Sequence, residues 1–175
     1  GVNSSLKTIP MALAVGRLNE ALLHAGVRHL VNILAMTGEV VDPHGLAVLL
    51  GYGVQAIYPY MLYATAMEQV CHCKLTDYDK RKRLLKVRHA LDAGILKIMS
   101  KMGIATVASY RNSALFDVVG LSKEVTKEAF SNSVALLGGL GYSDLEGRWE
   151  KYHKDAYAPS NATRMMPLNM GGYYK

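Results

Sequence analysis

The chain has 175 residues, and its 20 Lys and Arg against 14 Asp and Glu leave a charge of +6 with histidine neutral. Half of it is hydrophobic and 19% is charged, which excludes intrinsic disorder and supports a core that removes roughly 70% of the chain's surface from water. Its two cysteines, Cys71 and Cys73, are separated only by His72 and cannot frame a disulfide-stapled domain, so a reducing, cytoplasmic setting is the default.

Pro10 suits the first turn of a helix. Met11, Val15, Leu18, Leu22 and Ala25 repeat behind it at helical spacing, with Gly26 placed to end it. Residues 30–36 (LVNILAM) form an apolar run of strand length, broken by Thr37-Gly38-Glu39. Asp42-Pro43 then reads as a cap and first-turn proline, for a helix that buries Leu46, Leu49 and Leu50 and stops at Gly51. Residues 55–58 (QAIY) are the next strand, ended by Pro59. Strand, helix and strand within so short a span predict a βαβ unit with parallel strands, and the unalternating apolar runs predict a sheet covered on both faces. The stretch from Gly45 to Met67 carries no charge and is long enough to cross a bilayer. Gly51, Gly53, Gln55 and Pro59 inside it favour buried turns and short elements instead, and no membrane partner is expected. The opening Gly1-Val2-Asn3-Ser4-Ser5 has neither the charged nor the apolar region of a secretory signal.

Residues 74–88 hold seven basic side chains, Lys74, Lys80, Arg81, Lys82, Arg83, Lys86 and Arg88, against Asp77 and Asp79, so +5 of the chain's +6 sits here. The pattern reads as the solvated face of a long helix capped by Asp77, with Leu84, Val87, Leu91, Ile95 and Ile98 as its apolar stripe; nucleic acid is not an expected partner. Gly94 weakens such a helix by about 1 kcal/mol relative to alanine, and Met102-Gly103 ends it. Residues 104–109 (IATVAS) predict a strand. Ser122 caps a short helix to Phe130, and Ser143-Asp144-Leu145-Glu146 has the form of a capping box ahead of a helix carrying Leu145, Trp149, Tyr152 and Ala156. After Ala158 periodicity ends.

Few patterns carry chemistry. Cys71-His72-Cys73 has no second pair to complete a tetrahedral metal site, so no metal is expected. The histidines at 24, 29, 44, 89 and 153 are scattered, and Gly51-Tyr52-Gly53 lacks the third glycine of a dinucleotide fingerprint. The densest signal is Lys97 to Gly120, where Ser109-Tyr110-Arg111-Asn112-Ser113 would follow the expected strand. Ligands of parallel α/β folds bind at strand carboxyl ends, and Ser, Tyr and Arg offer donors to a phosphate or a flat heteroaromatic ring.

The run KIMSKMGIATVASYR (97–111) followed by FDVVGLSKE (116–124) resembles the start of the flavin-binding region of the glutamate synthase large-subunit family. Upstream, IPMALAVG (9–16), TGE (37–39) and HGLAVLLGYGVQAIYPY (44–60) resemble the end of that family's central domain, and PLNMGGYYK (167–175) resembles a stretch further on. The resemblance implies an α/β chain of parallel strands and crossover helices, a partial (β/α) barrel. Residues 1–72 would end the central domain, 73–100 would form a basic connecting helix, and 101–175 would open the FMN-binding (β/α)8 barrel. It also implies an oxidoreductase that makes L-glutamate from L-glutamine and 2-oxoglutarate by flavin-dependent reduction of 2-iminoglutarate, in ammonia assimilation.

Met102, Gly103, Ile104, Ser109 and Arg111 match the family's flavin-contacting motif and are the implied cofactor-binding residues. No catalytic residue is implied here, because the flavin supplies the hydride. The parent's iron-sulfur cluster is implied too, its ligands being absent from this segment. Implied partners are the remainder of the subunit, an electron-donor subunit or ferredoxin, and a second copy of the chain. The isolated segment would then be inactive. The alternative is a non-catalytic structural or interaction module on the same scaffold. The chain departs from the family pattern at Ala105, usually Ser; at Asn112-Ser113, usually Gly-Gly or Gly-Ala; at LNEALLH (18–24), where a histidine-rich run is usual; and at Pro43-His44-Gly45, in place of paired histidines.

Overall fold

In the computed structural model the described residues are 4–68 and 76–158. Helix α1 (Met11–His24) is followed by a short 3-10 turn, strand β1 (Leu34–Thr37), helix α2 (Pro43–Gly51), strand β2 (Ala56–Pro59) and helix α3 (Tyr60–Glu68). Helix α4 (Asp77–Lys101) and a single helical turn α5 (Val107–Tyr110) lead into β3 (Asp117–Leu121), α6 (Lys123–Ala129), β4 (Val134–Leu140) and α7 (Tyr142–Ala156). The fold is α/β. Among the described residues two sheets each hold two parallel strands, β1 with β2 and β3 with β4, joined across α2 and α6 respectively.

The first βαβ unit is the one the sequence predicts, but β1 is shorter than the 30–36 run because Leu30 closes the 3-10 turn, and Thr37 and Pro59, expected to end the strands, pair as their last residues. Leu34 pairs with Ala56 and Met36 with Tyr58, and Asp42 caps α2 by accepting the Gly45 N–H at 2.8 Å. The second unit was hidden. The strand expected at 104–109 does not form; Thr106 instead starts a helical turn there by accepting the Ser109 N–H. Asp117–Leu121 and Val134–Leu140 pair in its place. Their register slips twice, with Val119 opposite Leu137 and Leu121 opposite Leu140, so β4 carries extra residues.

Two caps also differ from the reading. Thr76, not Asp77, caps α4: its hydroxyl accepts the Asp79 N–H, and the Asp79 carboxylate accepts from Thr76 in return. Helix α7 begins at Tyr142, before the Ser143–Glu146 box, so Ser143 lies inside its first turn and Asp144 accepts the Gly141 N–H at 2.9 Å.

The main core joins Val15, Ile33, Ala35, Val40, Leu49, Tyr52, Val54, Val118, Ala129 and Phe130, so that α1, both sheets and α6 meet in one cluster. A second cluster of Ala47, Ile95, Met99 and Tyr110 fixes α4 and the α5 turn on α2. Gly94 belongs to this junction. A side chain there would overlap the Pro43 ring, so the glycine that weakens α4 also lets α2 approach it. The basic residues of α4 from Lys80 onward lie exposed except the half-buried Arg83, with Lys80 paired to Asp77 at 2.9 Å and Arg88 to Asp92 at 3.5 Å, so most of the stretch is a solvated helix face.

Burial along β1 alternates, contrary to the expectation of two covered faces. Ala35 and Thr37 are buried while Leu34 is 72% and Met36 66% exposed. Val119 and its partner Leu137 are likewise 68% and 63% exposed in the second sheet. One apolar face of each parallel pair is therefore uncovered in this segment. Among the described residues no helix is long and apolar enough to cross a membrane, and no group of three His, Cys, Asp or Glu side chains is placed to hold a metal. Cys71, His72, Cys73 and residues 167–175 lie outside the described residues.

Candidate functional site

The KIMSKMGIATVASYR run begins on α4 and ends beyond the α5 turn. Helix α4 stops because Gly103 adopts a left-handed φ of 70°, which sends the Ile104 N–H back to the Met99 carbonyl at 3.0 Å and the Gly103 N–H to Ser100 at 3.1 Å. Nothing lies within 4 Å of the position a Gly103 side chain would take. Backbone conformation alone therefore demands this glycine. Gly103 and Ile104 line an open depression of about 460 Å³ with Leu96, Met99, Ser100 and Ala105, and Met102 adjoins it, partly exposed.

Ser109 is engaged locally, its hydroxyl 2.7 Å from that of Thr106 in the cap of α5. Tyr110 is fully buried in the second core cluster, and its hydroxyl has no hydrogen-bond partner among the described residues. Desolvation raises its pKa. An unpartnered buried donor costs stability that a phenyl ring of the same shape would not. Tyr110→Phe should raise the thermal midpoint by about 2–4 °C, the equivalent of about 1 kcal/mol. A lower midpoint by calorimetry would mean that the hydroxyl is satisfied.

Arg111 faces a different depression, of about 500 Å³, which it shares with Arg28, His29, Asn32, Gln55 and Asn112. The five residues implied as flavin contacts thus divide. Met102 and Gly103 are exposed with Ile104 half-buried beside them, Ser109 sits in the α5 turn that Thr106 caps, and Arg111 belongs with Arg28. As a fit test for a planar ring, the Gly103–Ile104 edge offers open space and accessible backbone; Arg111 does not share that face.

The residues that organise this region include several that the motif reading passed over. Asn112 sits in the left-handed region at φ 59° and donates its N–H to the Leu50 carbonyl, and Ala114 donates to Gly51. These bonds stitch the turn after Tyr110 onto the Gly51-Tyr52-Gly53 loop. Gly53, at φ 101°, faces Asn19 Oδ1, Arg28 Nη2 and Asn112 Oδ1, all within 3.1 Å of where a side chain would begin. The Arg28 guanidinium donates to Asn19 Oδ1 at 2.6 Å, to the Gly53 carbonyl at 2.6 Å and to the Val31 carbonyl at 2.9 Å. Asn19 in turn donates to Asn112 Oδ1 at 3.0 Å. Burial, and secondarily the nearby Arg111 charge, lower the Arg28 pKa. The Gly-Tyr-Gly segment is therefore a docking loop for α1 and the Asn112 turn. The signal for this was Asn19 itself, a polar residue one turn from Val15 on the apolar face of α1.

A further hollow of about 880 Å³ lies beyond the carboxyl end of β1 and is lined by Thr37, Glu39, Tyr60, Trp149 and Tyr152 among others. Both Glu39 oxygens accept the Met11 N–H at the start of α1, at 2.9 and 3.1 Å. Desolvation still raises the Glu39 pKa, which the Met11 bond opposes.

Residues 1–122 match the model of the glutamate synthase central domain. The chain belongs to this family. The match includes α4 and all five implied flavin contacts. Among curated glutamate synthases, the chain is 35% identical to the NADPH glutamate synthase large chain of Bacillus subtilis over 95% of its own length and 11% of that relative's. It is 32% identical to ferredoxin-dependent glutamate synthase 2 of Synechocystis over 94% of its length, again 11% of the relative. With the ferredoxin-dependent enzyme of Cyanidium caldarium it shares 37% identity over 78% of its length and 9% of the relative. The chain therefore spans about a tenth of the curated glutamate synthases it matches. Against the family pattern, Asn112 and the 18–24 run are two separate departures in sequence, yet Asn19 and Asn112 are hydrogen-bonded to each other. The left-handed backbone explains the choice, since asparagine tolerates this region better than other residues with side chains.

Proposed function

We propose that this chain acts as a segment of a glutamate synthase large chain, an enzyme forming L-glutamate from L-glutamine and 2-oxoglutarate in ammonia assimilation. The observation that carries the reading is the similarity to glutamate synthases over 78–95% of the chain. The uncovered apolar faces of both parallel pairs support it. Leu34, Met36, Val119 and Leu137 are arranged as parallel sheets arrange residues that another layer covers, and the remainder of the subunit would supply that layer. In this reading the residues to about 72 close the central domain, the basic α4 connects, and residues 101–175 open the FMN-binding barrel. The setting is cytoplasmic, and electrons arrive from ferredoxin or a nicotinamide-linked subunit.

Bound FMN would supply the hydride. Met102, Gly103 and Ile104 would present an edge to its ring, while Ser109 would act through the α5 turn and Arg111 from the neighbouring depression. The chain's own part is positioning: the Gly103 turn and the Asn112 stitch fix where that edge lies relative to α2. The iron-sulfur cluster would be held elsewhere in the parent.

The isolated 175-residue chain, given glutamine, 2-oxoglutarate, FMN and reduced ferredoxin or NADPH, should form no glutamate. Light scattering should show self-association through the exposed sheet faces. Glutamate formation, or a strict monomer at high concentration, would contradict this division of labour and favour a self-sufficient module.

A further inference from the structure

We propose that Arg28, Arg111 and His29 form a binding site for a phosphate-type oxyanion in the depression between the end of α1 and the Asn112 turn. Arg28 is clamped by three acceptors, Asn19 Oδ1, the Val31 carbonyl and the Gly53 carbonyl, which hold its guanidinium plane and leave two of its five N–H donors uncommitted. The Arg111 backbone N–H donates to the Val107 carbonyl at 2.9 Å, but its side chain has no hydrogen bond or ion pair among the described residues, and it lines the same hollow. Two arginine side chains thus line one depression, Arg28 fixed and Arg111 free to turn, and among the described residues none lining it is acidic.

The neutral groups at its wall add to the same preference. Gln55 spends its carbonyl oxygen on the Ile33 N–H at 2.6 Å, which turns its amide nitrogen into the remaining function, a donor. Asn32 and His29 complete the wall. Three of the carbonyls at the end of α1, which would otherwise oppose an anion, are taken: Ala25, Gly26 and Val27 donate to Ala21, Leu23 and Leu22. A site rich in fixed donors, with two permanent cations and no carboxylate, selects an anion with several acceptor oxygens. Arginine forks match phosphate geometry in particular.

The shared chemistry is the phosphate group, free or carried on a mononucleotide such as FMN. The site stands on the Arg28 clamp and does not use the glutamate synthase reading, so either can fail alone. The test is a titration of the full 175-residue chain with inorganic phosphate at low ionic strength, followed by amide resonances at residues 28–32 and 111–112, with chloride at matched ionic strength as the control.

The expected result is saturable shifts with phosphate and none with chloride. Arg111→Gln should weaken binding about tenfold or more, the loss of one charge-assisted contact. Lys82→Gln, on the far basic stretch, should leave it unchanged. The Arg111 side chain is exposed and has no partner among the described residues, so its variant should fold normally, as its spectrum will report. FMN displacing phosphate while riboflavin does not would identify the flavin's phosphate as the source; neither displacing it would identify free phosphate. Shifts that follow ionic strength alone, unaltered binding in Arg111→Gln, or displacement by riboflavin would each overturn the proposal.

Discussion

Arg28→Ala should lower the midpoint of thermal unfolding by about 6–12 °C, equivalent to about 3 kcal/mol for a chain of this size. The side chain joins three separate segments: α1 through Asn19, the docking loop through Gly53, and its own turn through Val31. A hydrogen bond from a charged donor contributes about 1.5–3 kcal/mol, and the three are not additive because they share one group. The larger part of the loss comes from what remains behind. Asn19 is only 4% exposed, and its oxygen would be left without a donor.

Lysine should not rescue the variant. It keeps the charge but brings a single mobile ammonium where three acceptors lie in the plane of a fork. A double-mutant cycle between Arg28 and Asn19 should give a coupling of about 1 kcal/mol or more. Measured without phosphate, the cycle reports on folding alone. An Arg28→Ala variant melting with the parent chain would show that the clamp is decoration on an already rigid loop.

Gly16→Ala should cost about 2 kcal/mol net and lower the midpoint by about 4–8 °C. Gly16 is buried where α1 crosses α6, and a methyl there would overlap the backbone carbonyl of Ala129 and come within 3.0 Å of the Phe130 ring. A ring can tilt; a carbonyl fixed at the end of a helix must take the helix with it. This places the overlap near the upper end of overpacking costs, about 3 kcal/mol, from which the better helix propensity of alanine removes about 1 kcal/mol. Gly147→Ala provides the contrast. It also lies within a helix, α7, but nothing is within 4 Å of its missing side chain. That variant should melt slightly higher than the parent, and equal destabilisation of the two would mean that α1 and α6 do not touch at Gly16.

Much of the candidate site was visible as residues but not as an arrangement. Met102-Gly103 read correctly as a helix stop, because a glycine after a helical stripe has a local meaning. The strand expected at 104–109 failed for an equally local reason: IATVAS is apolar and contains β-branched residues, but Thr106 has a hydroxyl in position to cap a turn, and Tyr110 had a pocket to fill beside Met99. The β4 strand was missed although residues 134–140 are wholly apolar or glycine. Two glycines in a short run argue against a strand, and its partner Asp117–Leu121 begins with a charge.

Local sequence determined α1, α2, β1 and β2, the long basic helix, and the parallel pairing of the first unit. In each of these, periodicity, caps and breakers act over a few residues and agree with one another. Tertiary structure alone decided that Arg111 stands beside Arg28 rather than beside Gly103, that Asn19 meets Asn112 across more than ninety positions, and that Gly94 and Gly16 are required for space. Those outcomes depend on which helices approach and how closely, and close approach is a property of two surfaces that no single stretch of chain carries.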